Sequence, residues 1–352
     1  MKILTIVGAR PQFVKAAVVS RAIGNRFVEE IIHTGQHYDA RMSDVFFEQM
    51  GIPKPVSNLN TGSGTHAQTT AAMLVGIEGE ILSRKPDLVM VYGDTNSTIA
   101  GALAAAKLEV PVAHVEAGQR SFNRAMPEEM NRVLTDHISS LLFCSAKSCV
   151  DLLKNEGITK NVFYVGDVMY DAFLEFAPQA KWPADVSKPQ TSYVLATVHR
   201  AQNTDDPRRL KAILDAFASV SHPIVFPIHP RTKKMVENNG FVFSKNIQLV
   251  EPQAYFEMLA LLRDCAFVIT DSGGLQKEAY YAGKRCLVLR EETEWTELVE
   301  IGAAKLVGAN NQQIVRESQW AQQSSHLERN IYGDGKSAEK IVTGIFNYLS
   351  RS

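Results

Sequence analysis

Three carboxylates lie close behind apolar runs that are typical of buried strands. Asp94 follows Leu88–Tyr92, Glu116 follows Val110–Val115, and Glu128 comes shortly afterwards. A single Asp after a strand is most often a helix cap, but clustered carboxylates shift each other's pKa and suit general acid and base catalysis. We therefore predict all three as catalytic groups. The competing interpretation, a metal site, lacks tight Asp/His ligand spacing, so no metal is expected.

Basic residues follow the first apolar run, Ile3–Val7, where the chain turns. Gly8 permits a tight turn, and Pro11 suits the first turn of a helix, whose N-terminus favours an anion. Arg10 and Lys15 add positive charge there. The segment predicts a position that binds a substrate phosphate, although a capped helix with solvated basic residues explains it equally well. It lacks Gly-x-Gly-x-x-Gly spacing, so neither a nicotinamide nor any other cofactor is expected.

Two histidines, each closely followed by an arginine, end apolar runs in the second half of the chain. His199 and Arg200 follow one run, and His229 and Arg231 follow the next. An arginine side chain can bind two oxygens of one phosphate at once, so the two His/Arg strand ends predict a diphosphate pocket. Taken singly, such histidines are more often structural.

The most specific local motif is Thr270–Glu278, in which an apolar strand runs into a Ser-Gly-Gly turn and a helix. Ser272, Gly273 and Gly274 allow the backbone to approach a phosphate, which the helix dipole stabilises. Glu278, one turn further, is placed to accept hydrogen bonds from ribose hydroxyls. A flexible strand–helix turn without a ligand is the alternative.

These residues need a scaffold of alternating strands and helices, and the chain shows that alternation in two series. The predicted strands are Ile3–Val7, Glu30–His33, Leu88–Tyr92, Val110–Val115, Leu141–Cys144, Val162–Val165, Tyr193–Val198, Ile224–Ile228, Ile247–Val250, Phe267–Thr270 and Cys286–Leu289. The helices between them include Gln12–Ile23, Met42–Met50, His66–Arg84, Ser97–Leu108, Glu128–Ser140, Gly274–Ala282 and, last, Ser337–Leu349. The strands are continuous apolar runs, as in parallel sheets covered on both faces. A polar stretch, Pro178–Gln190, separates the two series, so we predict two doubly wound α/β domains.

Composition narrows the class of protein. The 352 residues carry 37 basic and 38 acidic side chains, a balance that argues against a nucleic-acid binder. No apolar stretch is long enough to span a membrane, and the N-terminal apolar run ends too soon for a signal peptide. The four cysteines form no C-x-x-C pair and lie mostly in apolar runs, as expected of buried thiols in a reducing compartment. A cytoplasmic enzyme with neither a membrane nor a nucleic-acid partner is expected.

The motifs together resemble the non-hydrolysing UDP-N-acetylglucosamine 2-epimerase family. The supporting segments run in the family's order over nearly the whole chain: GARPQFVK (8–15), TGQH (34–37), YGDTNST (92–98), HVEAGQRS (114–121), PEEMNR (127–132), VHR (198–200), PIHPR (227–231), TDSGGLQKEA (270–279) and YGDG (332–335).

The resemblance implies a GT-B-like α/β fold, two Rossmann-like domains facing a central cleft, usually in a homodimer. Residues 1–170 would form the domain with the catalytic carboxylates, 171–336 the UDP-binding domain, and helix 337–352 would return to the first. The implied site residues are Asp94, Glu116, Glu128 and His199 for catalysis; Arg10, Lys15, His229, Gln253, Ser272, Gly273, Gly274 and Glu278 for UDP-sugar binding; and Gln36 and His37 for a possible allosteric site. The implied reaction inverts carbon 2 by eliminating and re-adding UDP through a 2-acetamidoglucal.

Three positions depart from the usual family pattern and resemble the branch that acts on UDP-2,3-diacetamido-2,3-dideoxyglucuronate, a surface-polysaccharide precursor. Gln12 and Lys277 stand where acidic residues are usual, and Trp295 stands where many members have Arg. Loss of acidic side chains beside a substrate carboxylate would reduce repulsion. Both UDP-N-acetylglucosamine and the diacetamido uronate therefore remain candidate substrates.

Rival functions are a GT-B glycosyltransferase, a hydrolysing 2-epimerase that releases UDP, and a UDP-sugar sensor without activity. A glycosyltransferase needs only one base in its first domain, so three carboxylates favour epimerisation. The presence of every candidate catalytic residue argues against the sensor.

Overall fold

The computed structural model describes residues 1–35, 47, 49–323 and 330–351, and the chain divides into two compact units. The first comprises Met1–Ala172 with Asn330–Ser352, and the second Phe173–Arg329. Each unit has its own parallel sheet with helices between successive strands. The predicted α/β class, with two doubly wound sheets, is confirmed.

The first unit contains a seven-stranded sheet in the order β3-β2-β1-β4-β5-β6-β7. Its strands are β1 Lys2–Val7, β2 Val28–His33, β3 Ser57–Asn58, β4 Leu88–Tyr92, β5 Val112–Ala117, β6 Leu141–Cys144 and β7 Val162–Tyr164. Its helices are α1 Arg10–Ile23, α2 His66–Arg84, α3 Asn96–Lys107, α4 Pro127–Ile138, α5 Lys147–Asn155, α6 Val168–Phe176 and the C-terminal helix Ser337–Leu349. The last four residues of α6 belong to the second unit. The C-terminal helix packs against α1. Residues such as Leu4, Ile6 and Val89 are fully buried, because helices cover both faces of the sheet.

The second unit contains a six-stranded parallel sheet in the order β10-β9-β8-β11-β12-β13. The strands are β8 Val194–Thr197, β9 Ile224–Pro227, β10 Ile247–Val250, β11 Phe267–Thr270, β12 Cys286–Val288 and β13 Ala304–Leu306. The helices of this unit are α7 Ala201–Thr204, α8 Pro207–Ser219, α9 Pro230–Asn238, α10 Tyr255–Asp264, α11 Gly273–Tyr281, α12 Thr296–Glu300 and α13 Asn311–Ala321. Phe217, Phe226 and Phe267 lie in the core of the second unit. The C-terminal helix of the first unit, Ser337–Leu349, is α14.

The strand order reverses direction once in each sheet, and parallel sheets of this kind bind ligands at that point. In the first unit β1 and β4 are neighbours, and in the second β8 and β11 are neighbours. The segments that follow these four strands begin at Gly8, Gly93, Val198 and Asp271. Topology therefore brings the chemically interesting residues of each unit to one edge of its sheet.

The predicted elements agree with the observed ones to within a few residues, with four omissions of interest. Helix α6 and helix α13 were not predicted, nor were the short strands β3 and β13. In α13 only Ile314, Ser318 and Ala321 are buried, so its apolar face is too narrow to stand out in a polar segment. The predicted helix Met42–Met50 falls mainly outside the described residues.

Within the described part of the chain, no helix combines the length and apolar character needed to cross a membrane. The same residues contain no group of three or more His, Cys, Asp or Glu side chains arranged to hold a metal ion.

Candidate active site

Asp94 lies in the turn between β4 and α3 and is held by an arginine from α4. Gly93, with φ of +63°, makes the turn, and Thr95 caps α3. Arg132 donates from Nε at 2.9 Å and from a terminal nitrogen at 2.6 Å to the same oxygen of Asp94, Oδ2. Asn131 fixes the backbone by donating to the Asp94 carbonyl at 2.9 Å. The carboxylate is thus held by one oxygen, and its side chain is 30% exposed.

Glu116 lies in β5 at an irregularity that redirects its side chain. Val115 pairs with Phe143 and Ala117 with Cys144, so Glu116 is an extra residue between two consecutive pairs, a β-bulge. Its φ of +74° is unusual for a residue with a side chain, and such strained backbone is typical of functional sites.

The Glu116 carboxylate is buried between two polar side chains. Its Oε2 forms an ion pair with Lys15 of α1, and its Oε1 accepts a hydrogen bond from Gln119 at 3.3 Å. Gly93 lies against this pair, since a Cβ there would be 3.4 Å from both Oε2 of Glu116 and Nζ of Lys15. The structure therefore brings together Lys15, Glu116 and the Asp94 turn, which come from three separate sequence motifs.

Glu128 occupies the first turn of α4 and is exposed. It precedes Arg132 by four residues, so the two lie on the same face of the helix, and Arg132 contacts Asp94. The neighbouring acid, Glu129, is instead buried and accepts hydrogen bonds from the backbone of Ser121 and Phe122. Burial raises the pKa of Glu129, but these hydrogen bonds and Arg132 outweigh it and leave the pKa below its usual value.

In the second unit, His199 follows β8 and is held by Asp271, which follows β11. The buried Asp271 carboxylate accepts from the backbone N–H groups of His199 at 3.1 Å and Arg200 at 3.0 Å, and its Oδ1 lies 3.3 Å from Nδ1 of His199. Burial lowers the pKa of His199, and His229 and Arg200 act in the same direction, against the Asp271 charge.

The His229 and His199 ring centroids are 5.7 Å apart, so both predicted histidines lie at one edge of the sheet. His229 caps α9, its ring nitrogen accepting from Arg231 N at 3.2 Å. Gln253, in the loop before α10, is partly buried and donates to the Glu251 carbonyl at 2.9 Å.

The Ser-Gly-Gly turn opens α11 with Ser272 as its cap. A Cβ on Gly273 would lie 2.5 Å from Oε1 of Glu294, so the Glu294 carboxylate, which Arg290 holds at 2.7 Å, would have to move to admit a side chain. A Cβ on Gly274 would meet nothing within 4 Å, so the backbone of this first helical turn is open to an approaching group. Backbone N–H groups exposed at a helix N-terminus bind phosphate.

Glu278 lies one turn further along α11 and is partly buried. Desolvation raises the pKa of Glu278 to about 7, opposed by the charge of Lys277. The Tyr255 ring lies near enough for the Glu278 charge to add to the effect of burial in raising the Tyr255 pKa. A carboxyl group with a pKa near neutrality is typical of functional sites.

Comparison with known proteins identifies the family that the sequence motifs resemble. The family model described as UDP-N-acetylglucosamine 2-epimerase matches residues 21–345. The UDP-2,3-diacetamido-2,3-dideoxy-D-glucuronate 2-epimerase of Pseudomonas aeruginosa is 50% identical, over 97% of this chain and 98% of its own. A UDP-N-acetylglucosamine 2-epimerase homolog of Methanococcus maripaludis is 49% identical, over 99% of this chain and 100% of its own. The crystal structure of Methanocaldococcus jannaschii UDP-GlcNAc 2-epimerase with UDP-GlcNAc and UDP has a TM-score of 0.87 at 42% identity, covering 99% of this chain and 100% of that one.

The chain belongs to the UDP-N-acetylglucosamine 2-epimerase family. Its GT-B-like fold and its membership of the carbohydrate isomerases, both expected from the sequence, are confirmed. The 2-epimerase family, rather than a glycosyltransferase family, accounts for the motifs in both units.

One unusual residue of this 2-epimerase, Gln12, has a structural explanation. It is 1% exposed, and its Oε1 accepts from the backbone of Gly8 at 2.8 Å and Ala9 at 3.0 Å. Its Nε2 donates to the Tyr92 carbonyl at 2.8 Å, which ties the end of β4 to the start of α1. Reduced repulsion of a substrate carboxylate therefore does not explain Gln12, because both ends of its amide are used inside the unit.

The other two departures contact each other. Nζ of Lys277 lies 4.1 Å from the Trp295 ring centroid, and both residues are buried. The Trp295 indole N–H donates to the Gly273 carbonyl at 2.9 Å. The pair thus supports the glycine turn of the epimerase through a cation–π contact and a hydrogen bond. Lys277, at 3% exposure, gives no support to the charge argument either.

Several residues of the epimerase site were not singled out from the sequence. Arg132, Gln119 and Asp271 each contact a predicted site residue. Arg132 and Asp271 reach their partners from distant segments, whereas Gln119 lies three residues from Glu116. The sequence signal for all three was their position inside the quoted motifs. Gln36 and His37, the predicted allosteric residues, lie outside the described residues. Arg10 is exposed at the start of α1.

Proposed function

We propose that this 2-epimerase inverts carbon 2 of a UDP-linked, N-acetylated sugar by eliminating UDP and adding it back. The observation that carries the proposal is the pair of carboxylates at adjacent strand ends, Asp94 held by Arg132 and Glu116 held by Lys15. Inversion requires proton removal on one face of carbon 2 and proton delivery on the other, so at least two acid or base groups are needed. Asp94, Glu116 and Glu128 are the three candidates.

In the first step a carboxylate takes the proton from carbon 2. The electron pair of that C–H bond forms a C1=C2 double bond, and the C1–O bond breaks with its pair leaving on UDP. The product is a 2-acetamidoglucal and free UDP within the site. In the second step a protonated carboxyl group delivers a proton to the opposite face of carbon 2 while the UDP oxygen bonds again to carbon 1.

The second unit binds the UDP. Elimination increases the negative charge on the diphosphate, which the open backbone at Gly274 and the helix end capped by Ser272 stabilise. His199, held by Asp271, stands at the same sheet edge to contact the phosphates. Glu278 accepts hydrogen bonds from the ribose, and Gln253 and His229 contact the nucleotide. We assign Arg10 and Lys15, two basic residues of α1 in the first unit, to substrate binding.

Two sugars are candidates, UDP-N-acetylglucosamine and UDP-2,3-diacetamido-2,3-dideoxyglucuronate. The Pseudomonas aeruginosa relative named for the uronate is 50% identical, and the Methanococcus maripaludis homolog of the UDP-N-acetylglucosamine enzyme is 49% identical. Identity alone therefore does not separate the two substrates. We favour the uronate, a surface-polysaccharide precursor, because Gln12, Lys277 and Trp295 together resemble the residue pattern of the uronate branch. The basis is this resemblance and not charge repulsion, since Gln12 and Lys277 are buried.

The deciding experiment runs both UDP-sugars in deuterated buffer and follows them by proton NMR and mass spectrometry. Epimerisation places one deuterium at carbon 2 of both epimers, whereas a glycosyltransferase leaves that hydrogen in place. Accumulation of free UDP at the turnover rate would show a hydrolysing enzyme instead. A strong preference for UDP-N-acetylglucosamine would defeat the uronate assignment without affecting the mechanism.

The proposed setting is the cytoplasm, with the enzyme acting as a homodimer. The family resemblance supports the dimer. The four cysteines, all free and buried, support a reducing compartment. Sedimentation equilibrium tests the dimer: a mass equal to one 38.9 kDa chain at working concentration contradicts it.

A further inference from the structure

A network of four ionisable side chains, three of them buried, lies in the first unit and has no part in the mechanism above. His114 of β5 places Nδ1 at 2.7 Å from Oδ1 of Asp136 in α4, and both side chains are fully buried. Arg120, also buried, donates to the other Asp136 oxygen at 2.7 Å. It makes two further hydrogen bonds of 2.7 Å to Glu156, whose side chain reaches the surface.

Hydrogen bonds engage both ring nitrogens of His114. Its Nε2 lies 2.8 Å from the Gly93 carbonyl, which only accepts, so Nε2 donates. Its Nδ1 lies 2.7 Å from Oδ1 of Asp136, whose second oxygen accepts from Gly118 N at 3.1 Å and from Arg120. The His114 ring therefore joins the Asp94 turn to helix α4, and Asp136 joins that helix to the turn after β5.

This network touches each element that carries a candidate acid or base. The Gly93 carbonyl bound by His114 immediately precedes Asp94. The Gly118 N–H bound by Asp136 follows Glu116 by two residues, in a turn where φ is +80° and a Cβ would lie 2.6 Å from the Cys149 carbonyl. Asp136 itself lies on α4, the helix that bears Glu128.

We propose that His114 and Asp136 form a positioning pair that holds the Asp94 turn, the Glu116 bulge and helix α4 in the arrangement epimerisation requires. This inference rests on the proposed function, since it assigns work to the three carboxylates. Neither residue touches the substrate. The reaction rate falls steeply when an acid or base is displaced by about an ångström from its substrate atom. The His114–Asp136 pair therefore affects the rate through the positions of the carboxylates.

The test compares His114→Gln and Asp136→Asn with wild type and with Ile77→Ala, a fully buried core position in α2 outside the network. Gln at position 114 lacks the two opposed ring nitrogens that reach Gly93 and Asp136. Asn at position 136 presents an N–H group toward Arg120 or His114. For both variants we expect kcat to fall about 100-fold, equivalent to about 2.7 kcal/mol. The UDP dissociation constant, measured by calorimetry, should stay within twofold because the second unit is untouched.

Ile77→Ala distinguishes positioning from lost stability. It should lower the melting temperature at least as much as the network variants and still keep kcat within twofold at 25 °C. A His114→Gln enzyme with kcat within threefold of wild type overturns the proposal, and so does an Ile77→Ala enzyme that loses activity in parallel with stability.

A measurement on the wild-type protein keeps the proposal testable if the variants do not fold. In ¹⁵N-histidine-labelled protein, a ring N–H signal protected from exchange is expected for His114, because its fully buried Nε2 donates to the Gly93 carbonyl. If the His114 ring N–H exchanges as fast as that of an exposed histidine, the positioning pair is refuted. Failure of the proposed function has a different result, no deuterium at carbon 2 with the wild-type enzyme, which leaves the His114 N–H signal unaffected.

Discussion

Replacing Asp271 by Asn tests whether one buried carboxylate builds the phosphate end of the site. The side chain is fully buried and keeps its size in the variant. Its Oδ2 accepts from the backbone N–H of Arg200 at 3.0 Å and from the Asn203 amide at 3.1 Å, while Oδ1 faces His199. An amide can keep the Oδ1 contacts, but its NH₂ group then points at two other donors.

The magnitude follows from the bonds lost. Each of the two hydrogen bonds to a charged acceptor contributes about 1.5–3 kcal/mol, so the loss is about 3–6 kcal/mol before relaxation. We expect the lower end, about 3 kcal/mol, because the loop after β8 can shift to relieve the donor–donor contact. That is a large part of the 5–15 kcal/mol typical of folded domains. The UDP dissociation constant should rise about tenfold, or about 1.4 kcal/mol, as His199 and Arg200 lose their fixed positions.

Urea denaturation and calorimetry with UDP measure both effects. Asp215→Asn is the matched control, because it makes the same chemical change in an exposed i,i+4 pair with Lys211. Such a pair contributes about 0.3–0.5 kcal/mol, and UDP affinity should not change. If Asp271→Asn loses no more stability than Asp215→Asn and binds UDP as wild type does, the reasoning from the hydrogen bonds is refuted.

Four further predictions concern the glycine turn and its neighbours. Gly273→Ala should cost about 1–3 kcal/mol of stability because its Cβ meets Glu294 at 2.5 Å. Gly274→Ala, with an open Cβ position, should keep stability, so weaker UDP binding by this variant reports a phosphate at that backbone. Burial raises the pKa of Glu278 to about 7, so its carboxylate form, the better ribose acceptor, grows as pH rises through 7. UDP affinity should therefore increase from about pH 6 to about pH 8. The unliganded protein should lose stability as pH rises from 4.5 to 7, because the folded state holds the Glu278 proton over that range and the unfolded state does not. Glu278→Gln should flatten both trends relative to wild type. Trp295→Phe removes the 2.9 Å hydrogen bond to Gly273 and should raise the UDP dissociation constant several-fold, and an unchanged constant would show that the turn needs no such support.

The strands and helices were largely predictable from the sequence because each is encoded by a short stretch of neighbouring residues. Buried parallel strands are continuous apolar runs, such as Leu88–Tyr92, and each is recognisable within five or six residues. The glycine turn at Ser272 is equally local, since its cap, its glycines and its helix lie within one turn of each other. Short elements such as β13, three residues long, carry too little periodicity to detect.

The tertiary structure decided how the site residues are held, since their partners come from distant segments. Asp94 meets Arg132, Glu116 meets Lys15 and His199 meets Asp271 only after the sheets form. The tertiary structure also changed the interpretation of Gln12 and Lys277. Their residue types suggested a changed charge beside the substrate, but both are buried and support the turns at Gly8 and Gly273 instead. Residue type and spacing determined what chemistry was available at each strand end. Pairing, burial and the bulge at Glu116 depend on the strand order and on side chains brought together from across the unit, which no local pattern encodes.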